Sequence, residues 1–200
     1  MVNVLNEFMN NELPNLLNSG YVDNEYGLQF ELGYYLRKCG YNVFFERNVS
    51  LLQGILLSNF PKKEIDLYVE KDGKRYAIEL KYPLSKNSGG TAEIYHFVND
   101  ICFTECLKSN GVESYCITLT DSEEYTTRKT REDANPLWNS FRGNCNNNSI
   151  TAFNRLPNKI TQEVKKQNGD VSKKTYNIKG NYEIVWHMVE GKWYYIIKAQ

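Results

Sequence analysis

The stretch EIDLYVEKDGKRYAIELKYP, from Glu64 to Pro83, narrows the folds open to this chain more than any other. It reads as two strands and a tight turn. Ile65 to Val69 alternates apolar and polar residues, as a half-buried strand does. Asp72-Gly73 is a pair suited to closing a hairpin. Arg75 to Tyr82 is the second strand. Side chains alternate faces along a strand, so Ala77, Glu79 and Lys81 share one face while Ile78 and Leu80 take the other. If Asp66 joins the Glu79 face, two carboxylates and an ammonium group converge at one end of a sheet. Close carboxylates repel, and each is better solvated in water. A hard divalent cation removes that repulsion, and Mg2+ takes oxygen ligands.

The rest of the chain frames this hairpin. Val4, Leu5, Phe8, Met9, Leu13, Leu16 and Leu17 recur at helical spacing, with Pro14 marking a kink or a restart. Asp23 or Asn24 caps a second helix, whose stripe is Leu28, Leu32, Tyr35, Leu36 and Cys39, and Gly40 ends it. Glu31 lies at the edge of that stripe, where a rim carboxylate in water is the ordinary reading. Tyr41 to Leu52 is the expected first core strand, and residues 55–63 connect it to the hairpin. A helix runs from about Thr91 to Ser109, with Ile94, Phe97, Val98 and Ile101 on its apolar side. Glu93, His96 and Asp100 share another stripe. They either reach toward the hairpin carboxylates or form a solvated face, the expectation for Glu93 and His96. Ser114 to Thr120 is a further buried strand. The order from about 24 to 120 is therefore helix, three strands, helix, strand, an α/β core.

Asp121 to Asn148 is polar and weakly patterned, with alternating charges from Arg128 to Asp133 and an Asn-rich end expected as a loop. Trp138, Phe141 and Arg142 within it either stack on bases or cover a core edge. The last fifty residues read as β-structure that extends the sheet. Asn168-Gly169 and Glu190-Gly191 are the expected turns, and Tyr182–Val189 and Lys192–Lys198 the second hairpin. The 200 residues suit one domain, 1–200, with a C-terminal extension over about 150–200.

Charge and cysteine content exclude several classes. There are 24 basic and 24 acidic residues, so the chain is not a uniformly basic nucleic-acid coat. The balance is uneven. Residues 151–200 hold nine Lys and Arg against Glu163, Asp170, Glu183 and Glu190. Lys165, Lys166, Lys173 and Lys174 are candidates for phosphate contacts, with a solvated surface as the bland alternative. Five cysteines without close pairing argue against a disulfide framework or a zinc knuckle, and two histidines make a His-based metal site improbable. No run of about 18 apolar residues marks a membrane span. No secretory signal is visible at the N-terminus, and a reducing cytoplasm is the expected compartment.

Asp66 followed by Glu79-Leu80-Lys81 resembles the signature of the PD-(D/E)XK nuclease superfamily, the restriction-endonuclease-like fold. The αβββαβ order matches that superfamily's core, and the run YHFVNDICFTECL is similar to a helix in its standalone members. The resemblance covers about half of the chain. It implies a central mixed sheet flanked by helices, and Mg2+ or Mn2+ held by Asp66, Glu79 and the Leu80 carbonyl. Lys81 would orient the attacking water or offset charge on the phosphate. Glu31 is the position that matches the helix glutamate completing the metal shell. The implied substrate is nucleic acid, with DNA the first choice, and a homodimer is expected if both strands of a duplex are cut. No proline immediately precedes Asp66 and no glutamine opens the following helix, which puts assignment to one exonuclease branch in doubt. A binding or interaction module on the same fold is the alternative.

Overall fold

The computed structural model describes residues 1–54, 60–87, 90–127, 136–165 and 169–200. The chain opens with α1 (Val2–Glu7), a π-helical segment (Phe8–Glu12) and α2 (Leu13–Asn18). Pro14 lies in the first turn of α2, where its missing N–H costs nothing. Asn24 caps α3 (Glu25–Lys38) by accepting from the Gly27 N–H at 2.9 Å, and Gly40 at φ 82° turns the chain away.

Three strands follow: β1 (Asn42–Asn48), β2 (Glu64–Lys71) and β3 (Lys74–Lys81). They form an antiparallel meander with Asp72-Gly73 at the turn. The first strand is shorter than Tyr41–Leu52, because a 3-10 turn at Val49–Leu51, capped by Asn48, ends it. Then α4 (Thr91–Ser109) crosses over to β4 (Glu113–Thr120), which pairs parallel with β3.

A short helix α5 (Glu123–Thr126) precedes a 3-10 segment, Pro136–Ser140. The Asn-rich stretch is a hairpin rather than a loop. β5 (Gly143–Asn146) and β6 (Ser149–Ala152) join through Asn147 and Asn148, both at positive φ, which asparagine tolerates better than most residues. β7 (Lys159–Lys165) and β8 (Val171–Asn177) make a separate two-stranded sheet and do not extend the main one. Their turn includes Asn168, which lies outside the described residues, as do the 55–59 connection and the charged run from 128 to 133. β9 (Val185–Val189) and β10 (Lys192–Lys198) pair across Glu190-Gly191.

The result is an α/β fold with an eight-stranded mixed sheet in the order β1-β2-β3-β4-β10-β9-β6-β5, flanked by helices. One face of β1–β4 packs on α3 and the N-terminal helices through Leu28, Leu32, Leu67, Val69, Ile78 and Leu80. The other face packs Tyr68 and Ala77 against Phe103 and Leu107 of α4. A third cluster lies under the C-terminal strands. Trp138 and Phe141 are buried in it, which settles them as cover for a core edge. Among the described residues, no helix is long and apolar enough to cross a membrane.

Candidate functional site

The candidate site forms where two ladders of the sheet lapse together. β2 and β3 pair as far as Leu67 opposite Ile78. One step further, Asp66 comes opposite Glu79, and side chains replace the backbone rungs. The Leu80 N–H donates to Asp66 Oδ2 at 2.7 Å, and the Asp66 N–H reaches Glu79 Oε1 at 3.4 Å. Opposed residues of an antiparallel pair share a face. The two carboxylates therefore meet on the side that carries α4.

The β1–β2 ladder skips the same level. Phe45 pairs with Leu67 and Arg47 with Ile65, leaving Glu46 and Asp66 unpaired between them. Glu46 sits at φ 47°, a left-handed conformation in mid-strand. Gln29 from α3 fills the gap. Its Nε2 donates to the Asp66 carbonyl at 2.7 Å and to Glu46 Oε1 at 2.7 Å. The backbone oxygen freed by the break is thus satisfied, as a buried carbonyl must be.

Two lysines and two further carboxylates complete the cluster. Lys62 Nζ makes a short bond to Glu79 Oε2 and lies 3.1 Å from Asp100 Oδ1 and 3.8 Å from Asp66 Oδ1. Lys81 Nζ donates to Glu25 Oε1 at 3.0 Å and to the Leu80 carbonyl at 2.9 Å. Glu25 Oε2 also accepts from the Tyr82 N–H at 3.1 Å. Asp100 Oδ2 is buried without a hydrogen-bond partner, 3.8 Å from Lys81 Nζ.

Burial sets the protonation chemistry. Removal from water raises the Glu79 carboxyl well above its ordinary value, Asp66 raises it further, and Lys62 opposes both. Asp66 and Asp100 are raised for the same first reason, with Lys62 the main opposing group. Burial pulls the Lys62 ammonium down, but Glu79, Asp100 and Asp66 outweigh it, and the net direction is up. Lys81 is raised on the same balance, through Asp100, Glu25 and Asp66. Both lysines are therefore charged at neutral pH.

Asp66, Glu79 and Lys81 come together as the sequence pattern implies. Glu31 does not join them. It lies two residues past Gln29, about 200° around the helix axis, and the glutamate that α3 sends to the cluster is Glu25. Arg142 is not presented to a ligand either. It is 3% exposed, stacked 3.5 Å over the Trp138 ring, with its Nε donating to the Glu124 carbonyl at 2.6 Å. Lys173 is exposed beside Glu163 at 3.9 Å, and Lys174 bonds Asn99 Oδ1 at 3.0 Å. Lys166 and the Lys165 side chain lie outside the described residues. His96, exposed, pairs with the half-buried Glu93 at 3.4 Å.

Sequence reasoning passed over Lys62, Glu25 and Gln29, and left Asp100 open. Gln29 and Asp100 carried a signal, each being polar within an apolar helical run. Lys62 carried none, because no periodicity governs a connection.

Among the described residues, no group of three or more His, Cys, Asp or Glu side chains is arranged to hold a metal ion as it stands. The arrangement has a visible reason. Lys62 Nζ occupies the point on which Asp66, Glu79 and Asp100 converge. The donor set itself, three carboxylates and a backbone carbonyl, is one that hard divalent cations take, and the unpaired Asp100 oxygen has capacity to spare. An ion at this point would have to displace Lys62. No family model, curated protein or solved structure matches the chain.

Proposed function

We propose that this chain is a metal-dependent nuclease, a hydrolase that cuts phosphodiester bonds of DNA at the Asp66–Glu79–Lys81 cluster. The observation that carries the reading is the convergence of three carboxylates, Glu79 and Asp100 buried and Asp66 partly so, on one cation position at the end of β3. Burying such a group costs several kcal/mol per ion even when paired, an expense a purely structural site avoids with apolar residues. The αβββαβ order, with β1–β3 antiparallel and β4 parallel to β3, supports the likeness to a restriction-endonuclease-like core.

Asp66, Glu79 and the Leu80 carbonyl would hold Mg2+ or Mn2+, with Asp100 as a further carboxylate. When bound, the ion lowers the pKa of water and draws charge from the scissile phosphate. Lys81, fixed between Glu25 and the Leu80 carbonyl, places an ammonium where negative charge grows on the phosphate. Gln29 holds the Asp66 backbone, so the carboxylate is aimed before substrate arrives.

Lys62 favours a second reading. It already neutralises the carboxylates, as it would in a nucleic-acid-binding or interaction module without catalysis. Cleavage of mixed DNA and RNA with Mg2+ or Mn2+, beside calorimetry of metal binding, separates the two. Wild type is expected to bind metal and cut. Glu79→Gln should lose both properties, and Lys81→Ala should lose cutting while keeping metal. A wild type that binds neither ion at millimolar concentration leaves the module.

A further inference from the structure

A cleft of about 310 Å³ opens on the α4 face of β1 and β2. Its walls include Phe44, Arg47, Tyr68, Glu70 and Arg75. Tyr68 stands two residues from Asp66 on the same strand face, about 7 Å along β2. A regular strand would send Phe44 and Arg47, three apart, to opposite faces. The left-handed step at Glu46 brings them together instead, with the Arg47 guanidinium 5.1 Å over the Phe44 ring.

The polar groups of the cleft are unevenly committed. Arg75 is tied by its two terminal nitrogens to the carbonyls of Gln53, at 2.9 Å, and Asn110, at 3.4 Å. Glu70 accepts from the Tyr68 hydroxyl at 2.9 Å. Arg47 Nε is buried with no hydrogen-bond partner. A buried donor left unpaired is costly and calls for an acceptor. Two guanidinium groups against one carboxylate leave a net positive cleft, and Phe44 is 37% exposed. The walls thus offer an anion-binding fork next to a half-exposed aromatic ring that already packs on Tyr68 and Arg47, the two chemistries that hold a nucleotide in a single strand.

We infer that this cleft is a subsite for one nucleotide of a single-stranded nucleic acid, its phosphate on Arg47 and its base on Phe44. The inference rests on the nuclease reading for its substrate class, but the cleft is a separate set of residues. The cleft is too small for a paired and stacked duplex, so its preference is for the single strand.

The test is fluorescence anisotropy with a labelled hexathymidylate and a 12-base-pair duplex, run without metal, beside a cleavage assay with Mg2+. Phe44→Ala and Arg47→Ala should each weaken binding of the single strand about ten-fold. Both should raise KM for its hydrolysis while kcat stays within about two-fold, the mark of binding equal in ground and transition states. Phe44→Ala is the safer variant, because its ring is partly exposed and its loss should leave the melting temperature unchanged. Folded variants that bind hexathymidylate as wild type does overturn the subsite, even if wild type cleaves. A wild type that binds hexathymidylate no better than the duplex overturns it too. Loss of binding in both variants upholds the subsite, even if wild type cuts nothing and the nuclease reading falls.

Discussion

At the scale of single residues, the cluster is an unbalanced charge set. Among the described residues, the ion pairs of Asp66, Glu79, Asp100 and Glu25 are made with Lys62 and Lys81. Lys62→Met removes the ammonium shared by three carboxylates and leaves them buried against one another. The metal-free variant should lose about 3 kcal/mol of stability, the scale of a broken buried pair. Mg2+ or Mn2+ should restore much of that loss and bind more tightly than to wild type, read by denaturant titration with and without metal. No recovery with metal would mean that the carboxylates cannot share an ion. Glu79 gives a pH signature. A carboxyl whose folded pKa is raised favours the fold below its unfolded value, here 4.5, and loses that contribution as pH rises through the folded value. Glu79→Gln resembles the protonated form at every pH. The metal-free wild type should therefore match the variant in acid and fall below it as pH climbs toward neutrality. Melting curves of both proteins across that range check the sign, and parallel curves would exclude it.

At the scale of elements, the site depends on how α3 sits against the β1–β2 seam. Gly33 lets the helix approach so closely that an added Cβ would lie 2.5 Å from the Phe45 ring. This approach puts Gln29 within reach of the Asp66 carbonyl. Gln29→Leu keeps the side chain's bulk but leaves that carbonyl without its partner, at a cost of about 2 kcal/mol. Hydrolysis should fall further than stability explains, because Asp66 is no longer aimed. Activity at a temperature where both proteins are fully folded measures this. Unchanged kcat would reduce Gln29 to a packing residue.

At the scale of the whole molecule, the C-terminal strands are joined to the core by apolar packing on α4, by strand pairing and by a buried carboxylate. β10 pairs with β4 from Trp193 opposite Thr120 to Lys198 opposite Tyr115. Glu105 of α4, 3% exposed, accepts from the Lys179 and Gly180 N–H groups and from the Tyr182 hydroxyl. Glu105→Ala strips the acceptor from those donors at once and should cost about 3 kcal/mol. Since the sheet is continuous, unfolding should remain a single transition in both proteins, followed by fluorescence and by circular dichroism. Two separated transitions in wild type would show that the C-terminal strands fold apart from the core.

The hairpin at Asp72-Gly73, the capped α3 helix and the Glu190-Gly191 turn were all legible in the chain itself, because each obeys a local rule of periodicity, capping or turn chemistry. The alternating pattern on either side of the Asp72-Gly73 turn put Glu79 with Lys81, while the facing of Asp66 onto Glu79 stayed conditional until the strand register supplied it. Other features were out of reach of such rules. Strand alternation breaks at Glu46, and no sequence period announces a break. Choosing Glu25 over Glu31 needed the rotation of a helix against a sheet, which is set by where Gly33 can approach. The Asn-rich run became a hairpin because β9 offered β6 a partner. Lys62, from a connection without pattern, reached the carboxylates through charge and space alone. Local order is written in neighbouring residues, whereas the site joins groups from four separate segments whose meeting is decided by packing.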